Sequence, residues 1–299
     1  MKFRLALFIL FVALSPAPRA FAQENRRVSV AVLDLGGTPT AGRVAERLTK
    51  LTASLKIKGT TLALLDRGMS AAAARGVGYA GSLNLTLAEA RSLGAAVGCD
   101  FFITGDAQTV RRSSSARPAY FEAYASVFVV SAQTGRLVLW DRPAAEADTA
   151  EGAEASLLAA LESRVQLYAG AVAVGAEREE RERFADEESA AAAVIDLSTD
   201  EGASVNKDLR EPAPFRRLRP AYTDAAARAE AEATVDALVE IGADGEVAGV
   251  RVVRWAGFGL DEEVVETVRR MHFRPAQREG EPVPVRVLLR YNFRKPPKS

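Results

Sequence analysis

VPVRVLLRYNF, residues 283–293, carries the strictest alternation in the chain. Val285, Val287, Leu289, Tyr291 and Phe293 fall on one side, with Arg286, Leu288, Arg290 and Asn292 on the other. That period of two predicts a strand with one buried face. Upstream, Val235, Ala237, Val239 and Ile241 alternate with Thr234, Asp236, Leu238 and Glu240, which predicts a strand of the same kind. Asp244-Gly245 turns the chain, because glycine accepts a positive φ without steric cost, and residues 247–255 return antiparallel. Leu260, Val264, Val265, Val268 and Met271 form a helical stripe, with Asp261 as its expected cap. An alanine-rich helix is expected over 223–229. Three strands and two helices make a small α+β domain over 215–295, and a sheet that small leaves an edge with free N–H and C=O groups.

The order of these elements carries a resemblance. Arg219-Pro220-Ala221-Tyr222, the turn Gly242-Ala243-Asp244-Gly245, Leu260-Asp261-Glu262-Glu263-Val264-Val265, His272-Phe273-Arg274-Pro275-Ala276 and the closing strand resemble the TonB C-terminal domain family over 219–294. The resemblance implies docking: an extended peptide of an outer-membrane receptor or transporter adds as a strand, with main-chain bonds giving affinity and alternating side chains giving choice. The implied partner-binding residues are Val283, Val285, Val287, Leu289 and Tyr291 on the final strand, flanked by Pro220 and Tyr222. A second reading of the same residues is a stable fold whose edge is guarded against aggregation by Arg286 and Arg290. Ala233 stands where that family commonly has glycine. An energy-transducing TonB also keeps an uncleaved membrane helix and a long proline-rich span, and neither is expected here.

The first part of the chain alternates strands and helices. VSVAVLD (28–34) suits a buried strand, and Val44, Leu48, Leu51 and Leu55 then recur at helical spacing. A strand over 61–65 and a short helix over 69–74 follow. Thr86-Leu87-Ala88-Glu89 fits the capping box and opens a helix that leads into a strand at 101–105. Residues 120–130 alternate, with Phe121, Ala123, Ala125, Val127 and Val129 together, and 137–140 complete a hairpin. A helix over 151–168 turns Leu157, Leu158, Leu161 and Val165 inward. The expected fold is an α/β domain over 28–175 with a mainly parallel sheet, joined to the α+β domain by a charged and polar linker over 176–214 that is partly helical and then disordered. Residues 28–174 resemble the envelope family of the curli secretion lipoprotein, the penicillin-binding-protein activator lipoproteins and the TolB amino-terminal domain. The matching residues are VAVLDL, Arg47-Leu48, Leu64-Leu65-Asp66-Arg67, the run from Leu87 to Gly94 and that from Cys99 to Gly105. This implies an interaction module without a known active site.

Lys2 and Arg4 precede a roughly ten-residue apolar run, and Ala20-Phe21-Ala22 fits the small-x-small rule, so residues 1–22 are expected to be a cleaved secretory signal and the protein periplasmic. The alternative is an uncleaved inner-membrane anchor, although a span needs about 20 apolar residues. Without the signal, about 36 basic side chains face 39 acidic ones, a balance that attracts no nucleic acid. Cys99 is the only cysteine, so no internal disulfide is expected and the core must hold the fold.

Four features are weaker than they look. Asp34-Leu35-Gly36-Gly37-Thr38 resembles the phosphate turn of actin-like sugar kinases, yet the second phosphate loop and adenosine motif are missing. Gly76-Val77-Gly78-Tyr79-Ala80-Gly81 has dinucleotide spacing but follows a helical stretch instead of a strand. His272, the sole histidine, cannot build a histidine cluster. The carboxylate pairs Glu179-Glu180 and Glu187-Glu188 suit a solvated face. No cofactor, metal or catalytic residue is expected. The expected function is a non-enzymatic periplasmic adaptor linked to transport across the outer membrane. The alternatives are an envelope or cell-wall assembly factor without energy coupling and, further off, a periplasmic enzyme or phosphate binder.

Overall fold

The computed structural model describes residues 26–115, 117–186, 194–199 and 209–295. The expected signal lies outside them, as does Glu187-Glu188. The first half is built on a six-stranded sheet of β1 (Arg26–Val32), β2 (Thr60–Leu64), β3 (Phe101–Arg112), β4 (Tyr120–Ser131), β5 (Leu137–Asp141) and β6 (Ala144–Ala147). Its order is β2-β1-β3-β4-β5, with β6 also on β4. Only the pairings of β1 with β2 and with β3 are parallel; β3, β4, β5 and β6 pair antiparallel. The sheet is therefore mixed where a mainly parallel one was expected. The reason is length: β3 and β4 run 12 residues each and return directly on one another, with no crossover helix between them.

Both faces of this sheet are buried. Val28, Val30, Phe101, Ile103, Ala123, Ala125, Val127 and Val129 pack with α1 (Pro39–Ser54) and with Leu157 and Leu161 of α4 (Ala150–Asp186). Ala31, Phe102, Phe128 and Val130 face the other way, toward α2 (Arg67–Gly76), α3 (Leu87–Val97) and the second half of the chain. Thr38 starts α1 by accepting from the Ala41 N–H, with Pro39 as the first helical residue. The capping box at α3 forms as expected: Thr86 Oγ1 accepts from Glu89 N, and the Glu89 carboxylate accepts from Thr86 N at 2.7 Å. Gly98 ends α3 at φ +75°.

Helix α4 runs past the expected end at residue 168. Its charged continuation has partners instead of an apolar stripe. Glu180 pairs with Arg26, Glu182 with Arg136 at 2.7 Å and with Arg178 one turn back, and Glu179 accepts from Thr134. By length and composition α4 could cross a membrane; here Leu157, Leu161, Val165, Tyr168 and Val172 are buried along it.

The second half holds a four-stranded sheet in the order β11 (Val247–Arg254), β10 (Ala233–Ile241), β15 (Val285–Phe293), β7 (Ile195–Asp196). Helices α5 (Asp224–Ala229) and α6 (Leu260–Arg269) accompany it. Short strands β8 (Leu209–Arg210), β9 (Ala213–Pro214), β12 (Phe273–Arg274), β13 (Ala276–Arg278) and β14 (Glu281–Val283) finish its rim. Strands β7, β8 and β9 lie inside the stretch expected to be linker. Asp261 does not cap α6; its carboxylate instead accepts from the N–H groups of Ala256 and Gly257 at 2.9 and 2.8 Å, so it braces the loop before the helix.

Candidate functional site

Strand β15 decides what the second half can offer to a partner. It pairs with β10 over its whole length without a register shift, from Val285 opposite Ile241 to Phe293 opposite Ala233. In such a ladder, alternate residues turn their backbone groups to opposite edges. The carbonyls of Pro284 and Arg286 face outward, where they accept from Ile195 N at 3.3 Å and Leu197 N at 2.8 Å. The same parity sends the N–H and C=O groups of Leu288, Arg290 and Asn292 outward. Among the described residues no strand pairs with them.

The named residues of the final strand divide accordingly. Val285 is fully buried, and Val287, Leu289 and Tyr291 are half-buried with their side chains on the core cluster. Their backbone groups face β10. Val283 belongs to β14, opposite Ala276, because Pro284 breaks the expected continuous strand. Tyr222 donates its hydroxyl to the carbonyls of Ala231 at 2.8 Å and Ala226 at 3.2 Å, and its ring lies 6.5 Å from that of Phe293 at the far end of β15. Pro220 is half-buried in the loop before α5.

Charges on the open face of the sheet are tied down across strands. Asp236 is 3% exposed and takes Arg290 Nε at 2.7 Å and Nη2 at 3.0 Å from one side and Arg254 Nε at 3.3 Å from the other. Burial pushes its carboxyl up, and the bonds and charges of Arg290 and Arg254 outweigh this and hold it below the usual carboxylate range. Arg286 bonds Glu240 with both Nε and Nη2, the latter at 2.6 Å. Each arginine thus leans onto its opposite number on β10, and Arg286 also reaches Asp196 of β7 on the outer side at 3.6 Å. Leu288, between them, is 37% exposed.

A second feature joins the two halves. Trp255, 1% exposed, stacks on Phe128 of the first sheet at 5.7 Å, and Phe258 meets Phe128 edge-on and Trp140 at 5.5 Å. The indole N–H donates to the Gly135 carbonyl at 3.0 Å. Asn84 bridges the junction: its side-chain amide donates to the carbonyls of Thr234 and Trp255, and its Oδ1 accepts from Thr234 N. Gly257, at φ +72°, brings backbone so near Phe128 that a Cβ would lie 2.5 Å from the ring. Sequence reasoning missed these residues, which lie over a hundred positions apart. The crowding of Gly257 and Gly259 around Phe258 was the available signal for a close approach.

The glycine segments read as weak motifs converge on one cleft. Gly36, Gly37, Gly81, Asp34, Arg75 and Tyr79 line a cavity of about 260 Å³. Asp34 there is engaged by Arg67 at 3.0 Å and Arg75 at 3.6 Å. Cys99 is half-buried, and burial, with help from the Asp100 charge, pushes its thiol up to about 12, so it is protonated and unreactive at neutral pH. His272 Nδ1 lies 2.9 Å from Glu246 at an exposed position.

Residues 219–294 match the family model described as Gram-negative bacterial TonB protein C-terminal. Among solved structures, the TonB C-terminal domain of Pseudomonas aeruginosa is 22% identical, with 36% of this chain and 99% of that one covered and a TM-score of 0.27. A hypothetical protein of Chlamydia trachomatis is 12% identical over 46% of this chain and 98% of that one, with a TM-score of 0.32. Lipoprotein GNA1162 of Neisseria meningitidis is 12% identical over 46% and 98%, with a TM-score of 0.28. No curated protein sequence matches the chain.

Proposed function

We propose that the chain is an exported envelope adaptor whose TonB-like unit takes up an extended peptide of an outer-membrane protein as an added strand on the outer side of β15. The observation that carries this reading is the outward run of backbone groups at Leu288, Arg290 and Asn292, next to no described strand, in a segment that matches the TonB family. Backbone pairing supplies the affinity. The contact surface shifts by one residue from the sequence expectation: Val287, Leu289 and Tyr291 shape the core beneath the edge, and their even-numbered neighbours meet the partner. The guard reading of Arg286 and Arg290 is less favoured, because both side chains are held against Glu240 and Asp236 on the inner strand.

The first half, with both sheet faces buried, acts as the carrier and holds a second envelope partner. Cleavage after Ala22 places the protein in the periplasm, and amino-terminal sequencing of the mature chain tests that placement; retention of residues 1–22 would favour the anchored alternative. No chemical step is assigned to either half, and the role is binding.

The docking test uses the full chain and synthetic peptides from the amino-terminal segments of the outer-membrane receptors of the same organism. Leu288→Pro removes one outward N–H, a change tolerated at a strand edge, and is expected to weaken peptide binding about tenfold with the fold intact. Unchanged affinity would sink the assigned edge. An assembly factor that uses the fold without any receptor peptide is the second reading; the locked junction at Trp255 favours it if no peptide binds.

A further inference from the structure

The beginning of the β15 edge is already taken, and its occupant is the chain itself. Ile195 and Leu197 donate their N–H groups to Pro284 and Arg286, and their side chains pack on the core cluster beneath the sheet. The strand runs parallel to β15, Ile195 beside Val285 and Asp196 beside Arg286. Asp196 points the other way, its Oδ2 3.6 Å from Arg286 Nη1. Ser198 holds that carboxylate in place, donating its N–H at 2.9 Å and its hydroxyl at 2.5 Å to Oδ1. The Ser198 hydroxyl, chiefly, and the Arg286 guanidinium hold Asp196 below the usual carboxylate range.

Three residues thus reproduce in miniature what an added strand would do. Main-chain donors reach outward carbonyls, apolar side chains alternate onto the core, and an acid between them meets the one arginine at that end of the edge. The hold is slight. A few backbone bonds, two half-buried side chains and one partly exposed ion pair each contribute little, and a contact of this size opens locally far more often than the sheet behind it. A peptide laid along Leu288–Asn292 and extended toward Pro284 meets this segment in its path.

We propose that Ile195–Ser198 is a built-in competitor for the strand-adding edge, and that the peptide able to displace it is extended, parallel to β15 and patterned apolar–acidic–apolar. This rests on the strand-addition reading of β15. Short peptides confined to Leu288–Asn292 bind beside the resident strand; longer ones must expel it, so peptide length and the acidic residue opposite Arg286 set the selectivity.

The test compares the full chain with its Ile195→Ser/Leu197→Ser double variant, which keeps the backbone but loses the apolar hold. In the unsubstituted chain, the amides of Ile195 and Leu197 are expected to exchange hydrogen at least about tenfold more slowly than in an unstructured peptide. A synthetic peptide of residues 193–200, titrated to millimolar concentration, is expected to shift the Arg286 and Leu288 amide resonances of the double variant while leaving those of the unsubstituted chain in place. Unslowed exchange overturns the competitor, as does an equal response of the two proteins or no response from the double variant. None of these outcomes bears on docking at Leu288–Asn292, which Leu288→Pro and receptor peptides test separately.

Discussion

Asp236 is a charged side chain almost without access to water, and it survives there because two guanidinium groups face it from neighbouring strands. Arg290 is more than half exposed and Arg254 partly so, so removing Asp236 returns them to water instead of leaving a buried charge unpaired. Asp236→Ala is expected to cost about 1 kcal/mol of folding stability in urea titrations, and to free Arg290. Its carboxyl is held below its ordinary value, so its contribution is present above that value and is lost as pH falls through the lower folded one. Asp261 has the opposite sign. Burial raises its carboxyl to about 7, against the two N–H donors of Ala256 and Gly257. Its contribution is therefore full below about 3.8 and is lost as pH rises through about 7. Asp261→Asn is expected to flatten the decline in stability between those two limits, measured by thermal melts across pH; an unchanged slope would show that another group titrates there.

Among the elements, β15 separates two substitutions that look equivalent in the sequence. Val287→Pro removes an N–H directed at β10 and opens the ladder inside the sheet, so a clear fall in melting temperature is expected, whereas Leu288→Pro should melt close to the unsubstituted protein. A similar fall for both would mean that the backbone parity is misassigned. The alternation of β10 and β15 was legible because one face is apolar and the other charged, and period two needs nothing more. Which backbone groups face out was not legible, since side-chain pattern fixes faces and says nothing of edges. Strand β7 escaped notice because two residues carry no periodicity. The far end of α4 was read as a partly helical linker and not as a continuation of the 151–168 helix, because its stability comes from Arg26 and Arg136, distant in sequence, instead of from an apolar stripe. The capping box at Thr86 needed only four adjacent residues, and it was read correctly. The TonB resemblance over 219–294 was legible in local motifs; the junction at Trp255 joins surfaces that no local pattern links.

For the whole molecule, the aromatic junction packs the two halves together, and they are expected to unfold as one cooperative unit. Trp255→Ala removes the indole from a closed site between the sheets and is expected to cost about 3–5 kcal/mol, read as a lower denaturation midpoint. Gly257→Ala, strained at φ +72° and driven into Phe128, should loosen the same contact while leaving the sheet of β10 and β15 formed. A fragment beginning at Pro212 would lack β7 and β8 and would expose Trp255 and Phe258. It is expected to bind a hydrophobic dye and to melt below the full chain; equal melting and no dye binding would show that the halves are independent.

The seating of Trp255 also fixes a load path. Tension applied by a cargo hooked onto β15 would cross two ladders to β11, enter the Arg254–Phe258 bend and arrive at β4, bypassing the tether between the halves. Single-molecule pulling from the docked side should then record one rupture that engages both halves together, and separate early yielding of the tail would point to a slack joint.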